Sequence, residues 1–181
     1  MSSDDAVFVG RTVTASTVVA APPAEVFALL ANPYWHHEFD GSGTVRGATS
    51  GPERLALGDR FGMSMKIRLP YRITNTVVEF EPDRKIGWCH PARAVWRYEL
   101  EPVDGGTLAS ELTRTPSGTA PFGAASASPG LGTRITETFD YTGSPVARGI
   151  ELAGMHRGNA KSIRDTLRRL VTIFGAPAVR S

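Results

Sequence analysis

The residues with the clearest chemical content sit in Arg134-Ile135-Thr136-Glu137-Thr138-Phe139-Asp140-Tyr141-Thr142, a β-branched and aromatic run that predicts a strand. Period-two alternation puts Ile135, Glu137, Phe139 and Tyr141 on one face and Arg134, Thr136, Thr138 and Asp140 on the other. The apolar set is expected to face inward, carrying the Glu137 carboxyl into apolar surroundings. Burial raises the pKa of such a carboxyl unless a cation pairs with it, which suits general acid or base work. An ion pair with an arginine across the sheet, or a place near an open end, would give the same alternation a structural meaning. His156, on the apolar face of the predicted C-terminal helix, can shuttle a proton, hydrogen-bond a ligand carbonyl, or be a satisfied core histidine. Glu137, His156 and Tyr141 form the candidate catalytic set.

Other reactive residue types carry less. In Trp35-His36-His37-Glu38 the adjacent histidines point in different directions, so at most one can join a shared site, and no second cluster completes it. No metal site is expected. Phosphate-binding glycine loops and Gly-x-Ser-x-Gly elbows are absent, so no cofactor is expected either. The one cysteine, Cys89, has no disulfide partner and no evident activating neighbour. Trp96, Tyr98 and Leu100 share a strand face as core or cavity lining, with Trp88 on a neighbouring strand, while Arg97, Glu99 and Glu101 face solvent.

These groups need a scaffold. Residues 7–20 are β-branched and proline-free, predicting a long first strand. Pro22-Pro23 stops it, and Ala24–Ala31 predicts a short helix with proline in its first turn and Val26, Phe27 and Leu30 on one face. Residues 34–39 predict a second short helix, closed by Asp40-Gly41-Ser42-Gly43. Strands are predicted at 44–48, 60–67, 71–81, 85–90 and 95–103, with breaks too short for parallel crossovers, so neighbours pair antiparallel. Residues 107–115 fit strand or loop. Residues 116–132, rich in Pro, Ser, Gly, Thr and Ala, read as a mobile loop.

Ser144-Pro145 starts a helix that Gly175 and Pro177 end, about 30 residues or ~45 Å long. At 100° per residue, Gly149, Ala153, His156, Ala160, Ile163, Leu167, Leu170, Val171 and Phe174 share one face. That face is small in its N-terminal half and bulky in its C-terminal half. A sheet of six or seven strands has one apolar face to cover, and this helix is the only large cover available. Space should remain where the helix carries Gly149, Ala153 and Ala160.

The chain has 181 residues, 41% hydrophobic and 21% charged, which fits one globular domain. The net charge is +2 and no run of like charges appears, so neither nucleic acid nor an anionic membrane is indicated as a partner. The acidic start Met1-Ser2-Ser3-Asp4-Asp5 lacks a signal-sequence pattern, and no stretch approaches the ~20 apolar residues of a membrane span. A soluble cytoplasmic protein is expected; the arginine-rich, lysine-poor usage is that of a GC-rich bacterial genome.

The segment Ala21-Pro22-Pro23-Ala24-Glu25-Val26-Phe27-Ala28-Leu29-Leu30 resembles the first-strand-to-helix segment of the START-like, or SRPBCC, superfamily. Glu38–Val45, Gly58–Met63, Thr76–Pro82, Trp96–Pro102 and Gly132–Phe139 resemble its actinobacterial polyketide cyclase/dehydrase branch. The resemblance spans nearly the whole chain. It implies an α+β helix-grip fold in one domain over 1–181: a curved antiparallel sheet of about seven strands wrapped on the long helix, with an apolar internal cavity. Residues 104–132 depart from the pattern as an insertion. The expected function is binding of an apolar lipid, polyketide or isoprenoid-like molecule. The alternative is a cofactor-free cyclase/aromatase or dehydratase using cavity acid–base groups. Phe27, Leu30, Trp35, Trp88, Trp96, Tyr98, Ile135, Phe139, Ala153 and Ala160 are the expected ligand-contacting residues. The oligomeric state has no signature in the sequence.

Overall fold

A computed structural model describes residues 6–104 and 132–176. Eight strands form one antiparallel sheet: β1 (Val7–Val9), β2 (Thr12–Val19), β3 (Val45–Ser50), β4 (Arg60–Lys66), β5 (Pro70–Glu81), β6 (Lys85–Cys89), β7 (Val95–Val103) and β8 (Gly132–Asp140). Their order is β1-β2-β8-β7-β6-β5-β4-β3. Among the described residues four α-helices accompany them: α1 (Pro23–Leu30), α2 (His36–Phe39), α3 (Ala147–Leu152) and α4 (Met155–Phe174), with a 3-10 turn at Pro33–Trp35 before α2. The architecture is an α+β helix-grip fold.

Two expectations are corrected. The predicted long first strand is a hairpin, because Gly10 takes φ +59° and turns the chain so that Val9 faces Thr12 across the ladder. This raises the strand number to eight. The predicted long helix is broken at Ala153-Gly154, where Gly154 adopts φ +66°. The break rotates α3 out of phase with α4. Ala160, Ile163, Leu167 and Leu170 of α4 are buried as the periodicity predicts, whereas Ala153 is exposed and His156 lies at the flank.

The core beneath α4 includes Val13, Ala15 and Val19 of β2 and Ile135 of β8. The far end of α4 is fixed to the sheet by the Ala20 amide donating to the Gly175 carbonyl at 3.0 Å. At its middle the Asp40–Gly41 turn presses onto the helix backbone. The Gly41 amide donates to Thr166 Oγ1 at 2.9 Å, and Arg169 donates to the Asp40 carbonyl at 2.7 Å. β7 and β8 pair from Val95–Asp140 at one end to Val103–Gly132 at the other. The predicted insertion at 104–132, apart from its two end residues, lies outside the described residues.

Candidate functional site

Between the sheet and α3–α4 lies an open-mouthed cavity of about 740 Å³. Alternation along each strand supplies its sheet wall: Met63 and Met65 of β4, Ile73 and Asn75 of β5, Trp88 of β6, Trp96 and Tyr98 of β7, Glu137 and Phe139 of β8. The helical wall is Gly149 and Ile150 of α3 and Met155, Gly158, Asn159, Ser162 and Thr166 of α4. His36 and Phe39 of α2 and Asp40 line a further side. Aromatic, thioether and aliphatic surface dominates, with a few polar groups, as in small-molecule sites generally. The β7–β8 ends that lead into the insertion, Val103 and Gly132, stand at the opposite end of these strands from the cavity-lining Trp96 and Phe139.

Glu137 is the central polar group. Its side chain is 1% exposed, and the Tyr98 hydroxyl donates to its Oε1 at 2.9 Å. Oε2 is buried with no hydrogen-bond partner among the described residues. The arginines of β7 and β8 pair elsewhere: Arg97 forks onto Glu79 and Arg134 lies 3.9 Å from Glu101. Without a cation, burial pushes the Glu137 carboxyl well above its ordinary range; the Tyr98 hydrogen bond opposes this and the nearby Asp40 charge adds to it. Tyr98 is likewise pushed above its usual value, by burial first and then by Glu137. Burial thus favours the protonated form of both groups, and in that form Glu137 Oε1 is the accepting carbonyl and Oε2 carries the proton.

His36 is 5% exposed, stacked on Trp88 at a ring separation of 4.8 Å, and hydrogen-bonded through Nε2 to the Leu30 carbonyl at 2.9 Å. A carbonyl requires Nε2 to carry the proton, which leaves Nδ1 as an acceptor. Desolvation lowers the His36 pKa to about 4. Asn75 Oδ1 is a second buried acceptor without a partner. His90 also borders the cavity.

Among the residues expected to contact ligand, Trp88, Trp96, Tyr98 and Phe139 line the cavity, and so does Glu137. The others are placed elsewhere. Phe27, Leu30, Ile135 and Ala160 are packed in the core, Phe27 edge-to-face on Phe80. Trp35 is 52% exposed outside the cavity. Ala153 sits at the helix break. His156 packs edge-on against Phe8 of β1 with ring centroids 5.9 Å apart and does not line the cavity. Tyr141 stacks on Phe139 from beyond the lining, with the charges of Glu151 and Arg11 nearby. The structure therefore does not unite Glu137, His156 and Tyr141.

Asn75 and the methionines lie outside the predicted site, although alternation through Phe61-Gly62-Met63-Ser64-Met65 and Ile73-Thr74-Asn75-Thr76-Val77 places them on an inner face. His36 enters from the Trp35–Glu38 run as a cavity residue. Among the described residues no group of three or more His, Cys, Asp or Glu side chains can hold a metal ion. Nor is any helix there long and apolar enough to cross a membrane.

A curved sheet gripping a C-terminal helix around a cavity defines a helix-grip domain. Residues 10–175 match the family described as "Polyketide cyclase / dehydrase and lipid transport", and the chain belongs to that family. Uncharacterized protein Rv0088 of Mycobacterium tuberculosis is 39% identical over 163 residues, covering 87% of this chain and 62% of the relative. The chain thus spans less than two thirds of the curated relatives it matches. Among solved structures, a Rhodobacter sphaeroides protein aligns with TM-score 0.61 and 16% identity over 94% of this chain and 95% of that one. Protein Ms6760 of Mycobacterium smegmatis aligns with TM-score 0.55 and 15% identity over 93% and 98%. At such identities the likeness is one of fold.

Proposed function

We propose that the cavity binds a neutral, largely apolar small molecule bearing a hydrogen-bond-accepting oxygen. The observation that carries this reading is Glu137: a carboxyl buried on the cavity wall whose Oε2 has no partner among the described residues. An unmet buried donor is costly, and a ligand carbonyl or hydroxyl would meet it. A carboxylate ligand would instead carry its charge into mainly apolar walls beside Asp40, where Lys161 of the lining is already paired with Asp165. Asn75 Oδ1 offers a complementary acceptor for a ligand hydroxyl.

A second reading has one observation in its favour. Glu137, whose protonated form burial favours, and His36, whose Nε2 is bonded to the Leu30 carbonyl, line the same cavity. Such a pair serves a cyclase or dehydratase by donating to a substrate carbonyl and accepting a proton elsewhere.

Native mass spectrometry of protein from its own host, with extraction of whatever is bound, tests the first reading. Glu137→Gln keeps a donor in place and should keep the extracted compound, whereas Glu137→Leu should lose affinity by roughly tenfold or more. Turnover by the wild type that Glu137→Gln abolishes would establish the enzyme instead. A protein that arrives empty and also ignores apolar probes would remove both readings.

A further inference from the structure

The cavity mouth is flanked by two apolar projections. The turn between β4 and β5, Ile67-Arg68-Leu69, leaves Ile67 68% and Leu69 78% exposed. Across the opening, the break between α3 and α4 leaves Leu152 90% and Met155 54% exposed. Ile67 and Met155 both line the cavity, so the two projections stand on one rim. Scattered exposed aliphatic residues are ordinary, but aliphatic tips gathered at a single opening are not.

The charge around them has one sign. Residues 60–76 contain no acid and carry Lys66, Arg68 and Arg72 near the tip. Arg148 lies one helical turn before Leu152, and the single acid of α3, Glu151, is bonded to Arg11 at 2.8 Å. None of Lys66, Arg68, Arg72 and Arg148 forms an ion pair among the described residues. The ladder fixes their level: Lys66 faces Pro70 and Arg72 faces Ser64, behind the tip and alternating with the cavity-facing Ile67 and Tyr71. The cations are scattered in the sequence, and the fold collects them.

We propose that this rim docks on a lipid bilayer containing anionic headgroups, with Leu69 and Leu152 entering the interface and the flanking cations meeting the headgroups. Aliphatic tips backed by basic residues whose stems lie along apolar surface fit that boundary. An acidic protein or a nucleic acid would use the charge and leave the aliphatic tips unexplained. Docked this way, the cavity mouth opens toward the phase in which an apolar molecule partitions. Leu69, Leu152 and the flanking cations lie outside the cavity lining, so the proposal stands whether or not Glu137 holds a ligand.

The test is co-sedimentation of the full chain with vesicles of phosphatidylcholine plus phosphatidylglycerol, against phosphatidylcholine alone, at low and high salt. Binding to the anionic vesicles is expected, falling with salt. Arg68→Gln and Arg148→Gln should each weaken it roughly fivefold. Leu69→Asp and Leu152→Asp, both at exposed positions outside the cavity lining, should reduce it to the level on neutral vesicles. Uptake of an apolar fluorescent probe by these aspartate variants should match the wild type. Failure to bind anionic vesicles at low salt would overturn the proposal. So would vesicle binding indifferent to both aspartate variants and matched by single-stranded RNA, the mark of a general polyanion surface.

Discussion

Replacing Glu137 by glutamine should stabilise the protein at neutral pH and do little in acid. The amide has the carboxyl's shape; its oxygen accepts from Tyr98 and its nitrogen donates where Oε2–H did. The unfolded chain releases the Glu137 proton near pH 4.3, while burial keeps it on in the folded state well above that. Between those two values the folded state holds one proton more, so stability falls as pH rises, by about 1.4 kcal/mol per unit. That slope caps the wild type's loss between pH 5 and 7 through this one group at about 3 kcal/mol, and the variant loses none of it. His36 acts with the opposite sign. Its folded value of about 4 lies below its unfolded 6.5, so its contribution is complete above 6.5 and is lost as pH falls toward 4. That loss is roughly 3 kcal/mol. His90, lowered to about 4 by desolvation, has the same sign but borders the open cavity, where water reduces its share. The histidines are common to both proteins and cancel in the difference. Urea unfolding from pH 4.5 to 8, with unchanged slope, should show the variant's advantage growing through the range. An advantage that is constant with pH would mean that Glu137 ionises normally, and the neutral-donor account of the cavity would fall with it.

Two glycines test the packing and the space separately. A Cβ on Gly41 would lie 2.2 Å from the Ser162 carbonyl oxygen and the Thr166 amide, so Gly41→Ala should cost on the order of 3 kcal/mol in chemical denaturation. Gly158 is helical, and a Cβ there meets nothing within 4 Å. Gly158→Ala should therefore raise stability by about 1 kcal/mol. Gly158→Phe should keep the fold by circular dichroism while blocking uptake of an apolar fluorescent probe.

Much of the sheet is legible in the sequence because strand signals are local. Period-two alternation, turn residues and short breaks place β4 through β8 within one or two residues of their observed ends, and the same alternation carries Glu137 inward. Tyr98 shares the inner face of its own strand, but its bond to Glu137 depends on register: Tyr98 stands opposite Glu137 across the β7–β8 ladder. Either residue alone suggests a lining position; the pair makes a hydrogen-bonded acid. The joining segment falls largely outside the described residues, and spacing along the chain does not fix that register.

The helix is the less legible half, for a single conformational reason. A periodicity argument assumes one uninterrupted axis, and Gly154 in its left-handed conformation ends that axis. Residues after the break keep the predicted phase, because α4 alone covers the core. Residues before it do not: Ile150 turns inward in place of Ala153. His156 keeps the phase of α4 but packs on Phe8 of the edge strand β1 and does not line the cavity. Small residues are still what opens the space, but they are Gly149, Gly158 and Ser162 rather than Gly149, Ala153 and Ala160. A straight helix with Leu152 and Met155 on its flank would have no reason to present them beside a cavity mouth. The same glycine thus accounts for the displacement of Ala153 from the lining and for the exposed aliphatic rim.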